Sequence, residues 1–127
     1  MSLIENKNVF SWSIQNNPSA IKKVDKSFYT YGETVIPIES RNFFELENYQ
    51  NGDKIDISII LNNKEYKGDI IFENNFNRSK LKFRSDLMKI VQDTIDKSTC
   101  SGNYDNINAI FIKDISNRYY MSLSIEL

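Results

Sequence analysis

The chain contains no histidine and a single cysteine, Cys100, among its 127 residues. Imidazole bases, the common zinc ligand sets and disulfide frameworks are therefore excluded. Glycine is scarce: Gly32, Gly52, Gly68 and Gly102 lie far apart, so no Gly-rich loop can cradle a phosphate with its amides. Neither sign of charge dominates, with 16 Lys plus Arg against 17 Asp plus Glu. A protein that grips a polyanion by bulk charge would be strongly basic, so any such binding must come from a local patch. Long apolar runs are missing as well. Ile57 to Leu61, interrupted by Ser58, is far shorter than the roughly 18 residues that cross a bilayer, and the first residues lack a basic start with an apolar stretch behind it. The expectations are no membrane, no cofactor and a cytoplasmic location.

What is present suits one packed domain spanning 1–127. Hydrophobic residues make up 40% and aromatics 13%, from eight Phe, seven Tyr and one Trp, enough for an interior at this length. Asparagines sit singly or in pairs at segment ends, as in Asn16-Asn17, Asn62-Asn63 and Asn74-Asn75, where side-chain to backbone bonding favours turns.

Period-2 alternation dominates between those turns. Phe10, Trp12 and Ile14 share one face of a first strand. Asn17 as a cap and Pro18 at the first helical position predict one or two helical turns over 18–24. Ser27 to Tyr31 and Thr34 to Ile38, around Pro37, predict extended chain at a sheet edge. Ser40 to Phe44 predicts a short helical turn that drops two aromatic rings into the core, with Ser40 as its cap. Ile55, Ile57, Ile59 and Leu61 alternate, Asn62-Asn63-Lys64 turns the chain, and Tyr66, Gly68, Ile70 and Phe72 return it as a hairpin. Leu87, Ile90, Val91 and Ile95 fall on one helical face behind a Ser85 cap. Ile107 to Ile112 and Tyr119 to Ile125 form a closing hairpin. The total is a β-rich α+β fold of roughly seven strands, with one main helix and one or two short helices.

The segment before the main helix carries the chemistry. Arg78, Lys80, Lys82 and Arg84 alternate with Ser79, Leu81 and Phe83, so four cations project to one side of a strand. Spaced about 6.8 Å apart, they form a rail about 20 Å long, comparable to several phosphates of a duplex. Residues 76 to 91 hold five basic and one acidic residue, and the expectation is that no nearby acid neutralises the rail. A solvated strand face, or lysines that guard an edge, gives the same pattern. Lys26, Tyr29 and Tyr31 form a second group, suited to phosphates and unpaired bases or to half-buried strand positions.

Ile36-Pro37-Ile38-Glu39-Ser40-Arg41-Asn42-Phe43-Phe44 resembles the opening of DNA-binding pseudobarrel domains, a family that includes plant transcription-factor domains and effector domains of restriction endonucleases. The order of hairpin, basic strand, helix and closing hairpin resembles that family from about Phe10 to Ile125. No Trp follows the central hairpin, which makes the endonuclease effector domains the closer comparison. The resemblance implies a seven-stranded pseudobarrel that recognises duplex DNA as a specificity module of a restriction-type system, with a separate nuclease subunit as a further partner. Two arms would grip the major groove, with Lys26, Tyr29 and Tyr31 in the first and Asn77, Arg78, Lys80 and Lys82 in the second. Phosphate contacts would come from Lys80, Lys82 and Arg84, and base contacts from Asn77 and Arg78.

Two other readings use different residues. Asp53 or Asp56 with Glu65-Tyr66-Lys67 matches the acid and Glu-x-Lys pattern of metal-dependent nucleases, in which carboxylates hold Mg²⁺ and the lysine assists attack by water. The cationic rail would also suit an acidic protein partner. Cys100, among Ser98, Thr99, Ser101 and Gly102, has no base beside it and receives no catalytic role.

Overall fold

The computed structural model describes residues 8–9, 12–14, 19–37, 40, 43–44, 52–72, 79–99, 104–116 and 118–125. Nine strands among them form one mixed sheet: β1 (Asn8–Val9), β2 (Trp12–Ile14), β3 (Ser19–Lys23), β4 (Glu33–Ile36), β5 (Lys54–Leu61), β6 (Lys64–Phe72), β7 (Ser79–Phe83), β8 (Ile107–Lys113) and β9 (Tyr119–Ile125). Seven of these have four or more residues, and β1 and β2 are short additions at one edge. The order is β1-β2-β3-β8-β9-β5-β6-β7-β4, antiparallel throughout except where β9 runs parallel to β5. The sheet curls into a half-barrel. Its two margins approach each other at a seam, where the indole of buried Trp12 on β2 donates 3.0 Å to the carbonyl of Val35 on β4.

The hairpin read from the sequence is observed: β5 and β6 pair from Lys54–Ile71 to Leu61–Lys64, and Asn62 and Asn63 both take positive φ, as a two-residue turn of primed type requires. Helix α1 (Ser85–Thr99) buries Leu87, Val91 and Ile95. It starts one residue earlier than its predicted cap would place it. The Arg84 carbonyl accepts from the Met88 amide at 2.9 Å, which makes Ser85 the first helical residue. Phe43 and Phe44 are buried in an aromatic cluster with Trp12, Phe111 and Tyr119. Phe28 meets Phe83 edge-on under α1.

Two local expectations are overturned. Residues 19–23 form β3 rather than helical turns, because Ala20, Lys22 and Val24 alternate inward and the strand finds a full partner in β8. Ser27–Tyr31 forms a π-helical turn rather than a strand. Asp25 starts it by accepting the Phe28 amide at 3.0 Å on its carboxylate and the Tyr29 amide on its carbonyl. Gly32 stops it in the left-handed region (φ 64°), where an added Cβ would stand 2.7 Å from the Met88 side chain. Phe10 and the proposed Asn17 cap lie outside the described residues.

Candidate nucleic-acid interface

Strand β7 has the predicted two faces: Ser79, Leu81 and Phe83 are buried, while Lys80, Lys82 and Arg84 point outward. Asn77 and Arg78, which lead into it, lie outside the described residues. The expectation that no acid neutralises the rail is corrected. Antiparallel pairing places Glu33 of β4 and Asp69 of β6 on either side of Lys82, on the same outward face. Lys80 Nζ lies 3.4 Å from Glu33 Oε1, with the two side chains 29% and 27% exposed. The Arg84 guanidinium donates to both oxygens of Asp69, Nε at 3.2 Å and Nη2 at 2.9 Å, and reaches Asp56 at 3.7 Å. That fork holds the Asp69 carboxyl below its ordinary pKa and raises the guanidinium's in return. Lys82 makes no ion pair among the described residues. These acids lie far from the rail in sequence, and only cross-strand register brings them beside it.

Asp56, Glu65 and Lys67 of the nuclease reading share this face, while Asp53 precedes β5. Asp56 turns toward Arg84, Glu65 accepts from Ser58 Oγ at 2.7 Å, and Lys67 donates to the same hydroxyl at 2.9 Å while standing 3.8 Å from Glu65. Each of these carboxylates meets a cation. Among the described residues no group of three or more Asp, Glu or Cys is placed to hold a metal ion.

The first predicted arm is divided. Lys26 is exposed and Tyr31 is 56% exposed. Tyr29 is held to the helix: its hydroxyl donates to Asp96 at 2.6 Å, its ring stacks on Tyr104 at 5.3 Å, and its carbonyl accepts from Gln92. The bond to Asp96 raises the phenol's pKa. Lys26, Tyr29 and Tyr31 stand at the end of β4 where Gly32 meets Phe83.

The sequence reading missed a cleft of about 250 Å³ at the seam, lined by Lys22, Asp25, Ser27, Glu33, Thr34 and Lys80. Lys22 is 2% exposed, stands opposite Trp12 in register, and donates to Asp25 Oδ2 at 2.9 Å. The alternation of Ala20, Lys22 and Val24 carried a signal for it, a lysine at an inward parity, but only in a strand reading of that segment.

The half-barrel, its edge strand β4 and the helix under one end are the features to set against solved structures. The chain shares its fold with a domain of a restriction-system protein. That structure is the N-terminal domain of Helicobacter pylori LlaJI.R1, with a TM-score of 0.59 and 16% sequence identity over 84% of this chain and 80% of that one. No family model matches the chain, and no curated protein sequence does either. At this identity the LlaJI.R1 domain speaks for the path of the backbone, and the residues at the interface have to be argued from their own geometry.

Proposed function

We propose that the chain is a duplex-DNA-binding module of a restriction-type system, a specificity domain that works beside a separate nuclease subunit. The observation that carries this reading is the fold held in common with the LlaJI.R1 domain over 84% of the chain. The proposed roles follow the order of these residues along the chain. Asn77 and Arg78 read base edges from the segment that enters β7, and Lys80 and Lys82 take phosphates as that strand leaves it. Lys26 and Tyr31 meet a duplex that runs the length of the β4–β7 pair. Arg84 and Tyr29 support the interface instead, one clamped to Asp69 and the other to Asp96.

Binding of random-sequence duplexes, followed between about 50 and 200 mM salt, tests the reading. Each phosphate neutralised contributes about −0.9 to the slope of log affinity against log salt, so the Lys82→Ala variant should flatten it by roughly one. Selection of sites from random duplexes, repeated with methylated DNA, then identifies the target. At a selected site Arg78→Ala should cost about 1–3 kcal/mol while leaving random-duplex affinity nearly intact. Absence of salt-dependent duplex binding by the wild-type chain would overturn the proposal.

A further inference from the structure

Among the acids of the outward face, Glu33 occupies a particular position. It lies on edge strand β4, opposite Lys82 in register and one cross-strand step from Lys80. Its carboxylate touches the Lys80 ammonium at 3.4 Å. The pair is less than a third exposed on either side, so it is screened less by salt than a surface pair at the rim of the molecule. Both side chains also line the mouth of the seam cleft. Asp69 differs: it is 16% exposed and held by a two-pronged fork to Arg84, an arrangement that fixes β6 to the end of β7. A single long contact between a lysine and a carboxylate, unlike a fork, breaks readily when a phosphate offers the ammonium a competing anion.

We infer that Glu33 is a built-in competitor that occupies Lys80 and lowers the affinity of the interface for every duplex, so that random DNA is released at concentrations where a target with base contacts stays bound. The inference rests on the proposed DNA-binding role and adds its regulation. A phosphate in the Lys80 position must first displace Glu33 and then lie near its negative charge, a penalty paid equally on every sequence. A target that also satisfies base contacts from 73–78 meets the penalty with added affinity, and random DNA does not. Because the penalty is common to both, it leaves the ratio of the two affinities unchanged and lowers the occupancy of the interface by random DNA at a given concentration.

The test measures random-duplex affinity for wild type, Glu33→Gln, Lys80→Ala and the double variant, with thermal melting as the fold control. Glu33→Gln should bind random duplexes roughly three- to tenfold more tightly at low salt, with a salt slope steeper by up to about one unit as Lys80 becomes free to neutralise a phosphate. The gain should vanish in the Lys80→Ala background, because the two residues act as a unit. Glu33→Thr, which suits a strand, replaces the glutamine variant if that one melts early. Unchanged or weaker binding by Glu33→Gln overturns the inference while leaving the DNA-binding role intact. So does an equal gain with and without Lys80, which would mark simple long-range repulsion. If wild type and Glu33→Gln both fail to bind duplexes, the underlying reading falls with it.

Discussion

The outer face of the half-barrel divides into two unlike halves. On β5, β6, β7 and β4 the outward positions include Lys54, Asp56, Lys67, Asp69, Lys80, Lys82 and Glu33, a lattice in which most charges find an opposite neighbour. On β3, β8 and β9 the same positions hold Ile21, Ile110, Ile112, Tyr120 and Ser122, with Ile112 paired to Tyr120 across the strands and Lys23 the one charge among them. Ile112 is 51% exposed and Tyr120 40%. Both halves rest on the same kind of interior, so packing does not impose the difference. Strand interiors tolerate either chemistry on a wet face, and the crowding of charge on one half, against the single Lys23 on the other, is what the proposed duplex-binding role would use.

Trp12 ties the two halves together across the seam, and its removal should have the largest effect. Trp12→Ala should destabilise the domain by about 3–5 kcal/mol in denaturant titration. Trp12→Phe should cost less, because it keeps most of the ring contact but leaves the Val35 carbonyl without this donor. If the alanine variant lost under about 1 kcal/mol, the seam would not be what holds the charged half to the apolar one. Gly32→Ala, at the turn that leads into β4, should cost about 1–3 kcal/mol, since alanine must adopt positive φ and displace Met88.

Within the charged half, Asp69→Asn should cost about 0.5–1 kcal/mol at neutral pH and flatten the acid limb of the stability curve. The sign follows from its pKa. The native carboxyl is held below the unfolded one, so its contribution is complete above the unfolded value and disappears as pH falls through the native one. A variant that lost no stability at pH 7 and kept the wild-type acid limb would show the Arg84 fork to be idle. The smallest effect belongs to the other half. Ile112→Ser should shift stability by less than about 0.5 kcal/mol and leave duplex binding unchanged. A loss of DNA affinity there would erase the distinction between the halves.

Much of the fold was legible in the sequence. The β5–β6 hairpin followed from four alternating apolar residues and an Asn-Asn turn, and α1 followed from Leu87, Val91 and Ile95. Segments 19–23 and 27–31 were misread for physical reasons. Asn17-Pro18 imitates a helix start, yet pairing with β8 outweighs that local preference. The Phe, Tyr and Thr of 27–31 favour strand, yet Asp25 and Gly32 fix a helical turn from its two ends. For the candidate site, the outward parity of Lys80, Lys82 and Arg84 was legible, and their partners were not. Glu33 lies 47 residues from Lys80 in the chain, and Asp69 lies 15 from Arg84.

Alternation and turn chemistry by themselves determined that this protein is β-rich, which faces of its strands are wet, and that its positive charge gathers on one strand, because those properties depend on neighbours in the chain. Only the tertiary structure decided which carboxylates stand beside those cations and that a lysine is buried at the seam. Those facts depend on strand order and register, which bring distant residues within a few ångströms and leave no trace in local sequence.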